Sequence, residues 1–257
     1  VIALGYTGAS SYPQTYYDIK SNQEHLIQKG HEKKQRGFDR YISFTDFFNA
    51  KYHMPFAGEY VLGGAKAKLN KFRGVADAYE VKNFDSKALV FRAGGGIDLD
   101  SGHVSLERDS LYPQEEVNGR LSDISSAQMD YERDLLIDFH NINFSRLMKV
   151  AAANAQKKSE IKDEYSFIFS ITKNDVICKK LIFICISGEL NEISVDEQIT
   201  ADTYSEIIID YRLLFGLITG VYHWNNADIG SAYLTRRMPE DNFNRSAYGF
   251  LNFFTVS

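Results

Sequence analysis

The most constraining feature of this chain is a pair of apolar runs, Tyr165–Ile171 (YSFIFSI) and Val176–Ser187, joined by Lys173-Asn174-Asp175. Both runs are rich in β-branched and aromatic residues. A connection this short, carrying Asn and Asp, can join only antiparallel neighbours, so the segment reads as a β-hairpin. Leu181–Ile186 is the longest apolar run in the chain. It is strand-sized and far from the roughly 20 residues that a membrane helix needs. Thr203–Ile209 supplies a further strand for the same sheet, and Tyr211–Thr219 has helical spacing with Gly220 as its stop. Asn226–Val256 reads as two short helices split at Pro239.

The amino-terminal part has another texture. Val1–Leu4 is a short aliphatic strand that runs into a loop of small residues, Gly5-Tyr6-Thr7-Gly8-Ala9-Ser10-Ser11. A polar helix over about 21–36 follows, then a second over about 41–49. In the second, Phe44, Phe47 and Phe48 stand at i, i+3, i+4 and predict a core-facing stripe. A strand over 52–56, a helix over 69–81 and a strand over 88–91 come next, the last ending in a turn at Ala93-Gly94-Gly95-Gly96. Strand–helix–strand alternation predicts an α/β layer with parallel strands. From Pro113 the pattern becomes helical to about Lys158 and then antiparallel. The expected fold is therefore an α/β first half followed by an α+β C-terminal region. The domains are read as 1–112 and 113–257, with the change falling somewhere within 110–130.

Composition narrows the function classes. The 257 residues carry 29 Lys and Arg against 34 Asp and Glu, a net charge of −5, which argues against a nucleic-acid binder. With 44 % apolar residues and four prolines, extensive disorder is not expected. Cys178 and Cys185 are the only cysteines; they predict opposite faces of a strand, no disulfide and no CxxC zinc site. The expectation is a cytoplasmic protein acting on a small molecule, with neither nucleic acid nor membrane as partner. The chain opens on a strand at Val1 with no lead-in, and the expectation is that it starts inside a domain.

Four places could carry chemistry. Tyr6, Thr7 and Gly8 follow a strand, at the carboxyl edge where ligands of α/β sheets bind; a tight turn is the competing reading. His53-Met54-Pro55-Phe56-Ala57-Gly58-Glu59-Tyr60 ends a strand at the same predicted edge. Glu59 and Tyr60 suit acid/base work there, while His53 suits either a metal or a structural hydrogen bond. Arg92–His103 holds four glycines, two aspartates and a histidine, fit for a cation or for a polar turn. Tyr222–Ser231 contains the only tryptophan, Trp224, beside Asn225 and Asn226. An aromatic face with amides grips sugars and bases, but it equally anchors and caps a helix. No phosphate-binding GK[ST], GxSxG, HExxH or HxHxDH element is present.

Three of these segments, VIALGYTGA (1–9) through Pro13-Gln14, MPFAGEY (54–60) and HWNNADIGS (223–231), together resemble the later part of metallo-β-lactamase-fold proteins. The branch is the one containing the CMP-N-acetylneuraminate hydroxylase-like and UDP-sugar-associated members. The resemblance implies an αββα sandwich around a divalent metal, zinc or iron. Its HxHxDH ligands would precede Val1 and so lie mostly outside this chain. It implies metal-dependent hydrolysis, or hydroxylase-like oxidation, of a sugar-containing or phosphorylated small molecule. The family's usual Pro-x-His ligand falls here on Pro55-Phe56-Ala57, and Ala57 cannot bind metal, so Glu59 or His53 would have to substitute. The alternative is a non-catalytic binding or interaction module that has lost its metal ligands. The strands from Tyr165 to Ile209 and the following helix are also similar to a sterol-carrier-type appended domain.

Overall fold

In the computed structural model, residues 1–19, 22–159, 161, 163–241 and 243–257 are described. They form two units, Val1–Gln14 with Ile19–Ala127, and Thr15–Asp18 with Gln128–Ser257. Among the described residues no helix is long and apolar enough to cross a membrane.

The first unit is built on a strand–helix–strand crossover. β1 (Ile2–Gly5) runs parallel to β2 (His53–Phe56), in register from Ile2 opposite His53 to Gly5 opposite Phe56. Ala88 adds one parallel bridge to His53. The crossover is a single 26-residue helix, α1 (Gln23–Phe48), where two helices were expected. Its buried stripe is Leu26, Gly30, Gly37, Tyr41 and Thr45, close to one residue per turn. Gly37 does not break the helix, because it is the point where the helix backbone meets the Tyr6 carbonyl. Asn49 closes α1 in the left-handed conformation, its N–H returning to Thr45 O. The Phe44, Phe47 and Phe48 stripe faces solvent, with Phe47 80 % exposed. Continuity of α1 with the Leu26–Tyr41 stripe fixes the rotation and turns these rings outward.

The helix expected over 69–81 is two 3₁₀ segments, Gly64–Phe72 and Ala78–Asn83. Gly74 interrupts it at φ +60°, which a right-handed helix cannot include. A Cβ there would meet Gly30 O at 2.2 Å, so two glycines let the backbones touch. The second segment is capped reciprocally: Asp77 accepts from Tyr79 N, and Glu80 accepts from Asp77 N. β3 (Phe91–Ile97) pairs antiparallel with β4 (Val104–Glu107). Ala93–Gly96, read as a turn, lies inside β3, where a register shift brings Ser105 O to 2.8 Å from any Cβ on Gly95. α2 (Gln114–Ser125) packs on the 64–72 segment and so belongs to this unit.

The second unit opens with α3 (Asp130–Asp134) and α4 (Phe144–Ser159), which split the long helical stretch expected there. A five-stranded sheet follows: β5 (Ser166–Lys173), β6 (Val176–Ile184), β7 (Glu189–Ile193), β8 (Tyr204–Asp210) and β9 (Leu234–Met238), ordered β7-β6-β5-β8-β9. β5 and β8 are parallel and the other pairs antiparallel. Asn174 and Asp175 turn the β5–β6 hairpin, both at positive φ, as a two-residue turn requires. α5 (Tyr211–Ile218), α6 (Trp224–Ile229) and α7 (Arg245–Leu251) complete the unit. Phe169 stacks on Phe254 at 5.2 Å and Phe183 on Phe250 at 5.1 Å, giving a core of interleaved rings. β7 and β9 were not anticipated. β9 replaces part of the expected helix pair, and its Thr235 N–H bonds Thr15 O, so the segment 15–18 lies along it.

Candidate functional site

Parallel pairing puts the carboxyl ends of β1 and β2 at one edge, and both glycine-bearing loops leave from there. Tyr6 is buried, and its ring fills the space beside Gly58: a Cβ at Gly58 would lie 2.3 Å from Tyr6 Cζ and 2.6 Å from Thr7 Cγ2. Tyr60 donates its hydroxyl to Ser10 O at 3.2 Å, tying the two loops together. The structure thus brings Tyr6, Thr7, Glu59 and Tyr60 to one place. Gly8 lies in the same loop, with nothing within 4 Å of where its Cβ would stand.

The surroundings of Glu59 are polar. Its Oε1 accepts from Ala78 N at 3.0 Å and stands 3.8 Å from Arg108 Nη1. Burial, together with the nearby Asp77 charge, pushes the Glu59 carboxyl up, against the lowering effect of the Ala78 N–H. Arg108 is buried, donates to Asp77 Oδ2 at 2.7 Å and stacks on the Tyr112 ring at 3.8 Å. Burial raises the Asp77 carboxyl, but hydrogen bonds from Arg108, Tyr112 N and Tyr79 N outweigh it, so Asp77 stays below the usual carboxylate range. Burial holds the Tyr6 hydroxyl far above its ordinary value, assisted by the Glu59 and Asp77 charges, so it remains a donor.

Glu59 and Tyr60 open onto a cavity of about 710 Å³ whose wall also includes Arg73, Tyr112, Glu116 and Arg120. The Arg73 guanidinium lies 4.8 Å over the Tyr60 ring. Its Nε donates to Asn70 O, and its Nη1 is buried without a hydrogen-bond partner among the described residues. Lys33 donates to Arg73 O at 2.9 Å. Burial, with the Arg73 and Arg36 charges, lowers the Lys33 ammonium to about 8. None of Arg73, Asp77, Arg108 and Tyr112 lies in a motif recognisable from sequence; only the Asp77-x-x-Glu80 capping pattern could have drawn attention to one of them.

His53 is the first residue of β2, at the end opposite Glu59. It is buried, with Nδ1 2.8 Å from Asp85 Oδ2, and Tyr41 donates to the same oxygen at 3.0 Å. Of the two readings of His53, this contact is the structural hydrogen bond: His53 ties β2 to α1 through Asp85. Among the described residues no group of three His, Cys, Asp or Glu is placed to hold a metal ion. Glu59 is itself committed to Ala78 N and Arg108. The residues present therefore do not fit the expected zinc or iron.

The first half of the Arg92–His103 segment is strand β3 and only 98–103 is a polar turn, in which Asp98 accepts from Ser101 N at 2.7 Å and Ser101 Oγ at 2.8 Å. In the second unit, His223 caps α6, its Nδ1 accepting from Asn225 N at 3.3 Å. Trp224 is 2 % exposed and donates Nε1–H to Phe254 O at 2.9 Å, which makes it chiefly an anchor and not an open stacking surface. Asn226 lines a cavity of about 670 Å³ with Tyr131, Tyr222 and His223. Asn225 lines a different one, of about 350 Å³. The two amides are not brought to one site.

No protein-family model matches the chain, and no curated protein is significantly similar to it. Among solved structures, the chain is similar to a sterol carrier protein-2 like-3 from Aedes aegypti at 13 % identity. The match covers 43 % of this chain and 94 % of that one, with a TM-score of 0.33.

Proposed function

We propose that the first unit binds a sugar-containing or phosphorylated small molecule at the carboxyl edge of β1 and β2, and that it derives from the metallo-β-lactamase-fold branch its motifs resemble. The observation that carries this reading is the cavity beside Glu59 and Tyr60, with a half-buried guanidinium on its wall. The buried Nη1 of Arg73 has no protein acceptor among the described residues. A guanidinium in that state suits a phosphate or carboxylate oxygen. The Tyr60 and Tyr112 rings offer faces to a sugar. Glu59, with its carboxyl raised, can exchange a proton with a substrate hydroxyl near neutral pH more readily than a free glutamate. No step is assigned to a metal, because the donors present do not assemble one.

The test is calorimetric titration of the 257-residue chain with nucleotide sugars and sugar phosphates. Saturable binding that Arg73→Met weakens supports the reading; no binding, or binding unchanged in Arg73→Met, overturns it. The non-catalytic module is favoured by one observation, the commitment of His53 to Asp85. One equivalent of zinc or iron retained by the purified chain overturns that second reading.

A further inference from the structure

We infer that the second unit carries a separate oxyanion site at Arg237, suited to the phosphate or carboxylate group of a small molecule. Arg237 lies on β9, an edge strand, opposite Ser205 of β8. Paired residues share a face of the sheet, and Ser205 is completely buried, so residue 237 stands on the core-facing side. Its guanidinium carbon lies 3.8 Å over the Tyr16 ring, 5.1 Å from that of Phe243 and 5.4 Å from that of Tyr248. Its Nε is buried without a hydrogen-bond partner among the described residues.

The missing feature is a counter-charge. Two other guanidiniums withdrawn from solvent have one: Arg108 has Asp77 at 2.7 Å, and Arg212 has Asp210 at 2.9 Å. Among the described residues no carboxylate stands within ion-pair distance of Arg237. Aromatic faces and the Tyr16 and Tyr248 hydroxyls offset part of the loss of hydration, but the Nε–H donor is left without an acceptor among the described residues. Hydroxyls continue the polar patch: Tyr16 donates to Tyr248 at 3.4 Å, Tyr248 stands 3.4 Å from Ser205 Oγ, and Tyr165 stands 2.7 Å from the same Ser205 oxygen. Burial raises the Tyr16 phenol well above its ordinary value and pushes Tyr165 up to about 12. The patch is thus a cation among neutral hydroxyls, able to receive an anion's lone pairs.

Space for the rest of a molecule lies beside it. Phe243 and Tyr248 also wall the cavity of about 350 Å³, together with Arg245, Asn225, Asn252 and one acid, Asp228. A stacked guanidinium whose Nε–H lacks an acceptor can donate that hydrogen to an oxyanion, with the neighbouring hydroxyls donating beside it. A purely structural Arg237, which only glues the 15–18 segment to β9, would need the stacking alone and would ignore anions.

The experiment follows the arginine Nε–H resonances of the ¹⁵N-labelled chain, with Arg237 assigned by its disappearance in Arg237→Lys. Inorganic phosphate and, separately, glycolate are titrated at constant ionic strength against chloride. The expected result is a saturable shift of the Arg237 resonance with one of the two anions and not with chloride; the effective anion identifies the group recognised. Arg237→Met, which keeps the aliphatic stem over Tyr16, is expected to weaken that anion's binding at the site about tenfold or more. A resonance that chloride moves equally, or that neither anion saturates, overturns the site, and this wild-type measurement decides the matter even if Arg237→Met fails to fold. Binding seen only at Arg73 Nε belongs to the first unit and likewise overturns the Arg237 site.

Discussion

Gly37→Ala tests the packing argument most sharply, because two known effects oppose each other there. In a solvent-exposed helix interior, replacing glycine by alanine stabilises by about 1 kcal/mol. In α1 the new Cβ would lie 2.5 Å from Tyr6 O, about 0.9 Å inside ordinary contact. It would also touch Tyr6 C and Thr7 Cα at 3.4 Å, so the obstacle is backbone, not the end of a flexible side chain. The loop cannot retreat freely, because the Tyr6 ring is already held against Gly58. Overpacking of this kind costs about 1–3 kcal/mol, and a rigid backbone obstacle places it near the upper end. The net expectation is a loss of about 2 kcal/mol. Gly119→Ala is the control: Gly119 is inside α2 with nothing within 4 Å of its Cβ position, and a gain of up to about 1 kcal/mol is expected. Native-state hydrogen exchange of α1 amides measures the first effect and of α2 amides the second. A Gly37→Ala chain as stable as wild type, measured beside a stabilised Gly119→Ala, would refute the close approach of α1 to the Tyr6 loop.

Asp77→Asn strands a buried Arg108 and should destabilise the first unit by about 3–5 kcal/mol in a urea titration. Because the folded-state carboxyl of Asp77 is depressed, its contribution is present above the ordinary aspartate value and is lost as pH falls through the folded one; the variant should lack that acid-side slope. Lys33 has the same sign in the alkaline range. Its folded ammonium, near 8, lies below the unfolded value of 10.5, so the folded state binds fewer protons and stability rises with pH between those two values. Removing that penalty in Lys33→Met should raise stability at pH 7, by up to about 3 kcal/mol if the freed space is filled, and should flatten the rise; an unchanged slope would refute the assignment. Asp175→Val places a β-branched residue at φ +61° in the β5–β6 turn and should cost about 1–3 kcal/mol by thermal melting, whereas Asp175→Gly should be neutral or stabilising.

The fold was legible where one local rule governs an element. Asn174 and Asp175 dictate a two-residue hairpin turn, and β5 and β6 follow from it. α5 ends at the stop that Gly220 marks in the sequence, while the Asp210 cap at its start emerged with the structure. Failures came where tertiary contact overrides the local pattern. Phe44, Phe47 and Phe48 make a regular stripe, yet Tyr41 and Thr45 set which side of α1 is buried. Ala93–Gly96 has the composition of a turn, yet it extends as a strand because small residues allow β4 to approach closely. β7 and β9 are short edge strands of mixed polarity, and their pairing comes from partners elsewhere in the chain, as in Lys180 with Ile193 and Ile207 with Thr235.

For the site, the same residue types carry two physical meanings that sequence alone does not separate. Glycines after a strand allow close approach either to a ligand or to the protein's own backbone. Gly58 has the second role, since Tyr6 fills the space beside it, whereas the space beside Gly8 is open. The motifs Gly5-Tyr6-Thr7-Gly8 and Ala57-Gly58-Glu59-Tyr60 could be placed at one edge because a parallel pair has only one carboxyl edge. Their charged partners could not: Arg73, Asp77, Arg108 and Tyr112 come from 3₁₀ and irregular segments with no periodicity to project. His53 carried two readings in sequence, metal ligand or structural hydrogen bond, and only its tertiary partners Asp85 and Tyr41, elsewhere in the chain, show the second contact.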